Sequence, residues 1–113
     1  MRYMLLICGT EPEGPPPDRP LDEETLAWAQ DLKTEGVRVF GSRLRHTSTA
    51  STVRVRGDDA LVSDGPFAET KEQILGFDII ECADLDEALA VAASHPAART
   101  GTIEVRPVWP TPI

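Results

Sequence analysis

The sequence predicts an α+β fold: one antiparallel sheet with two helices packed on the same face. Two segments each read strand, helix, strand, and a shorter alternating segment between them reads as a hairpin. At 113 residues the chain suits a single core, and residues 1–113 are read as one domain. Apolar residues make up 41% of it, enough for a packed interior and too many for a disordered chain.

The elements follow in order. Residues 2–8, RYMLLIC, are apolar on both faces and read as a fully buried strand. Thr10 to Pro20 then holds five of the chain's ten prolines. Proline lacks an N–H and fixes φ, so this is an irregular loop. Its length suits a lid or a contact surface as well as a passive connection. Asp22 is placed to cap a helix, with Glu23 and Glu24 at the positive end of its dipole. Leu21, Thr25, Trp28, Ala29, Leu32 and Gly36 share one face, and Gly36 ends the helix.

Val37 to Arg45 reads as the second strand, with Gly41 a bulge or bend. Val53 and Val55 alternate with Arg54 and Arg56, the pattern of a half-buried strand. Gly57-Asp58-Asp59 turns the chain and Ala60 to Ser63 returns it, closing a hairpin. Residues 76–83, GFDIIECA, form the next strand. Asp84 and Glu87 make a capping-box pair for a helix whose apolar stripe is Leu85, Ala88, Leu89 and Ala92. Pro96 stops it. The last strand, Thr102 to Trp109, places Ile103, Val105, Pro107 and Trp109 on one face. With right-handed crossovers this order is the ferredoxin-like arrangement. Its second sheet face needs a cover, and a partner's sheet is the economical one. A homodimer is therefore expected.

The formal charge is −8, from 19 acidic and 11 basic residues. That balance argues against direct nucleic-acid binding and against anionic membrane surfaces. Arg43, Arg45, Arg54 and Arg56 cluster in sequence, either as solvated strand faces or as an anion-steering patch. The apolar run at the N-terminus, Met4 to Cys8, is five residues and the longest, Ala88 to Ala93, is six, far short of a membrane span. The N-terminus lacks the features of a secretory leader, so the protein is expected in the cytoplasm. Cys8 and Cys82 accordingly read as buried free thiols. Two scattered His and two scattered Cys show no metal spacing, and there is no Gly-rich phosphate loop or nucleophile elbow. No cofactor is expected.

Four segments resemble the YCII-related, or DGPF-domain, family: the opening RYMLLICG, the strand TVRV, the central SDGPFAETKEQILGFDIIEC and the closing DLDEALAVAASHPAARTGTIEVRPV. The resemblance implies a dimeric α/β barrel with a cleft between helix and sheet. It also implies a His on the first helix and an Asp further on as an acid–base dyad, and one relative that removes HCl from a hydroxylated aromatic ring. Some relatives accompany extracytoplasmic-function sigma factors. Where relatives carry that His, this chain has Thr25. A hydroxyl of such high pKa cannot replace an imidazole as a general base.

The candidate residues are few. Asp64, opening the DGPF turn, is a candidate acid or base, although Asp before Gly-Pro also serves as a turn residue. His46, in a polar loop, can supply the missing imidazole or lie passively at the surface. Thr25, Phe67, Glu69 and Lys71 are candidates for substrate contact, with Lys71 a point charge for a carboxylate or phenolate. His95, before Pro96, reads as a cation suited to a helix C-terminus. Two functions follow: a cofactor-independent lyase or isomerase acting on a small molecule, or a non-enzymatic ligand-binding or regulatory module that contacts a sigma factor.

Overall fold

The computed structural model describes residues 1–11 and 21–111. The lid or contact role expected of the Pro-rich loop falls largely outside them. Eight regular elements run in the order β1 (Arg2–Gly9), α1 (Glu23–Thr34), β2 (Arg38–Arg43), β3 (Ser51–Arg56), β4 (Asp59–Asp64), β5 (Gln73–Glu81), α2 (Leu85–Ser94) and β6 (Thr102–Pro107). Two short 3-10 turns, Thr47–Thr49 and Pro96–Arg99, join them. β2, β5, β1 and β6 form a four-stranded sheet in that order, every neighbour antiparallel. This is the ferredoxin-like topology: each β-α-β unit leaves a gap that a strand of the other unit fills. β3 and β4 pair only with each other.

The core lies between the sheet and the helices. Tyr3, Leu5 and Ile7 alternate inward on β1, Ile80 joins them from β5, and Cys82, Ala88 and Ala92 close the layer. Leu5 and Ile80 are completely buried, each contributing about 1.5–3 kcal/mol by removal from water. Alanines at 88 and 92 let α2 sit close to the strands. Leu85 and Leu89, expected in the same stripe, are instead 48% and 47% exposed. The helix is rotated toward its small residues, because large ones do not fit at that distance.

β1 is also less enclosed than its composition suggests. Met4, Leu6 and Cys8 are only half-buried, since no helix or strand among the described residues covers the sheet face opposite the helices. Phe40 and Phe77 meet on that same face, ring centres 5.7 Å apart. The larger departure is the hairpin. Val53 and Val55, expected to be half-buried, are 63% and 61% exposed, because no layer among the described residues lies beneath them.

The helix ends follow the sequence closely. The Asp22 carboxylate accepts from the Thr25 N–H at 2.7 Å, and Asp84 accepts from the Glu87 N–H at 2.9 Å. Glu87 reaches back to the Ala83 N–H, one residue before the usual partner of a capping box. Gly36 follows α1 at φ +76°, the left-handed conformation that lets the chain turn into β2. The irregularity expected at Gly41 lies just before it, between Arg38 and Phe40. Gly41 has a different duty, described below.

Candidate functional site

Besides exposed surface ion pairs, two places among the described residues enclose ionisable side chains. The first lies beneath the helices, where β2, β5 and the end of α2 converge. Asp78 faces inward from β5, on the same side as Ile80, and is 5% exposed. A carboxylate on that face needs a partner, and Arg38 of β2 donates Nε–H to Asp78 Oδ1 at 2.7 Å. Gly41, paired with Asp78 across the ladder, leaves the necessary room. A Cβ at position 41 would stand 2.1 Å from Asp78 Oδ1, 2.4 Å from Arg38 Nη2 and 2.8 Å from the Phe77 carbonyl oxygen.

His95 enters the same region from the end of α2, 6% exposed, with its ring 4.4 Å from that of Trp28 on α1. Its Nδ1 accepts the Ala97 N–H at 2.9 Å, capping the 3-10 turn. Nδ1 therefore carries no proton, and the neutral ring holds its proton on Nε2. Burial pushes the imidazole below its ordinary value, against the pull of Asp78 and Asp22 and with the help of Arg38. The expectation of a dipole-stabilised cation at this helix end is corrected: the ring is enclosed, neutral and used as an acceptor. Burial acts oppositely on Asp78, raising it above the ordinary carboxylate range although the Arg38 hydrogen bond and charge pull it down.

Thr25 belongs to the edge of this region. Its hydroxyl donates to Asp22 Oδ2 at 3.0 Å, so it completes the helix cap. That bond and the Thr25 N–H hold Asp22 below the usual carboxylate range. Asp22, in turn, lies close enough to act on His95 and to feel Arg43.

The second place is an open, mostly apolar cleft of about 1000 Å³ at the base of the hairpin. His46, Phe67 and Glu69 line it, together with Leu44, Val53 and Ile74. His46 is held at both nitrogens. Nδ1 accepts from the Ser48 N–H at 3.1 Å, and Nε2 faces Glu11 Oε1 at 3.7 Å. Glu11 itself accepts from the Thr47 N–H at 3.0 Å and the Thr47 hydroxyl at 2.5 Å. These contacts tie the exit of β1 to the turn after β2.

Asp64 ends β4 with its side chain in solvent, and Gly65 follows at φ +94°, its N–H bonded to the Ala50 carbonyl at 2.8 Å. Neither Asp64 nor Lys71 lines the cleft. The structure thus gathers His46, Phe67 and Glu69, keeps Asp64 and Lys71 apart from them, and puts Thr25 with the other cluster.

Arg38, Asp78 and Gly41 had no place in the sequence-based candidate set, and His95 was given a different role. A signal for Asp78 was present: it alternates with Ile80 and Cys82, so one acid shares the buried face of an apolar strand. Gly41 gave no such signal, since its cross-strand neighbour depends on register.

A two-layer antiparallel sheet of ferredoxin-like topology, enclosing an Arg–Asp pair and a neutral His beneath its helices, defines a small α+β domain with one buried polar centre. The chain belongs to the YCII-related domain family, whose model matches residues 1–112. It is also 52% identical over 69 residues to the uncharacterized protein R00369 of Rhizobium meliloti (strain 1021), a match covering 59% of this chain and 56% of that protein. The match thus spans little more than half the length of that relative. Among the described residues no helix is long and apolar enough to cross a membrane.

Proposed function

We propose that the protein is a cytoplasmic homodimer that catalyses proton transfer on a small organic molecule without a cofactor, with Asp78 as the acid–base group and neutral His95 as a hydrogen-bond donor. The observation that supports this reading is the convergence of two buried ionisable groups whose surroundings shift them in opposite directions. Burial raises Asp78 toward the range in which protons are exchanged near neutrality and keeps His95 a neutral hydrogen-bond donor. The imidazole that relatives carry on the first helix is then supplied from the end of α2. Arg38 positions the carboxylate, and Trp28 holds the ring plane. Asp78 takes up the substrate proton and returns it to the product, while His95 Nε2–H stays protonated and donates a hydrogen bond to the charge that develops on the substrate.

The test uses Asp78→Asn and His95→Asn. A library of small phenols and carbonyl acids is screened for turnover, and for compounds that move the His95 ring resonances by NMR. A substrate whose turnover falls by about 100-fold or more in each variant supports the assignment. Full turnover in both folded variants removes the pair from the reaction.

The cleft favours a second reading, a ligand-binding role. Its size is that of a small-molecule site, Phe67 offers an aromatic wall, and Glu69 and His46 offer polar anchors. On that reading a bound compound perturbs Phe67 and His46 and leaves Asp78 and His95 unmoved, with no product formed.

A further inference from the structure

The β3–β4 arm is apolar on one side, and no other element among the described residues covers that side. Val53 pairs with Val62, and Val55 with Ala60, so the three valines stand on one face. They are 63%, 61% and 68% exposed. The arm has no extensive packing against any other strand or helix. A lone two-stranded ribbon is marginally stable in water, so a regular six-pair ladder of this kind gains from a surface to lie on. The radius of gyration, 16.0 Å, exceeds the roughly 13 Å of a compact chain of this length, which fits an arm reaching outward.

The opposite face of β3 is basic. Arg54 makes no ion pair among the described residues, and Arg56 donates only to the neighbouring Val55 carbonyl at 3.0 Å. These two cations project from a chain whose formal charge is −8. The surface that best complements a basic, valine-faced arm is therefore acidic and has an uncovered apolar face. A second copy of this chain has both, including the open sheet side with Met4, Leu6 and Phe77. The three valines with Phe40 and Phe67 expose on the order of 500 Å² of apolar side chain. That is a substantial part of the ~800 Å² that each partner buries in a standard interface.

We propose that the arm is a dimerisation element: its valine face packs on a second copy of the chain, and Arg54 and Arg56 meet that copy's carboxylates. Val53 also forms part of the cleft wall, so the second copy completes the cleft at the arm's base. This rests on the homodimer reading above and adds the element that makes the contact.

Light scattering and sedimentation equilibrium on the full chain at micromolar concentration, in low and high salt, provide the test. Wild type is compared with Val53→Asp/Val62→Asp and with Arg54→Glu/Arg56→Glu, and circular dichroism checks that each variant is folded. The expected result is a wild-type dimer that the valine variant weakens by roughly 100-fold or more, because two carboxylates enter an apolar contact without partners. The arginine variant weakens the dimer at low salt and much less at high salt. Should the valine variant lose its fold, the arginine variant decides, since neither guanidinium packs on the core. A monomeric wild type overturns both the dimer and the arm. A dimer equally tight in both variants overturns the arm and leaves the dimer standing.

Discussion

One backbone proton sets the state of His95. Because Nδ1 accepts the Ala97 N–H, a doubly protonated ring loses its cap and brings two donors face to face. The folded value lies below the ordinary 6.5, so the unfolded chain takes up the proton first as pH falls. The stability tied to this residue is complete above 6.5 and is lost as pH drops through the folded value. His95→Asn keeps a capping acceptor and removes the titration. Urea midpoints at about pH 7.5 and about pH 5.5 are therefore expected to differ less in the variant than in wild type. Asp78 has the opposite sign: raised above 3.8, it contributes stability below that value and loses it as pH rises through the folded one. Arg38→Met leaves Asp78 enclosed without its cation and is expected to cost about 3–5 kcal/mol near neutrality, with much of the loss restored by adding Asp78→Asn. Gly41→Ala drives a methyl group into the same pair and is expected to cost about 1–3 kcal/mol in chemical denaturation.

At the scale of elements, capping carries much of the local specification. Asp84→Ala deprives α2 of its first acceptor and is expected to lower stability by about 1 kcal/mol, measurable as a shift in thermal midpoint. The Asp22 and Asp84 caps, the Gly36 stop and the order of strands and helices were all legible in the sequence, because each rests on chemistry within a few residues. Long-range facts were not. Which face of α2 packs is decided by how near the sheet comes, so Leu85 and Leu89 matched the helical period and still ended half in water. Val53 and Val55 show the same limit: alternation reveals that a strand has an apolar face, and not whether the chain owns anything to put on it. The site divides in the same way. His46, Phe67 and Glu69 fall around one cleft, although about twenty residues separate His46 from the other two. The Arg38–Asp78–Gly41 arrangement is a property of register between strands that lie some forty residues apart.

For the whole molecule, the uncovered sheet face and the arm make association the property on which most else depends. If the dimer forms as proposed, the thermal midpoint is expected to rise with protein concentration, because only the folded chain associates. A midpoint independent of concentration across the micromolar range counts against it. The sheet order has a further consequence, for how the chain is made. β1 precedes every other element and lies inside the sheet, yet its two neighbours, β5 and β6, follow it only after a long stretch of chain. During translation RYMLLICG therefore waits as an unpaired, strongly apolar strand while some seventy to a hundred residues follow it. A nascent chain stalled before β6 is expected to leave one edge of that strand open and to be held by chaperones or to aggregate. Completion of β6 would then be the event that releases it.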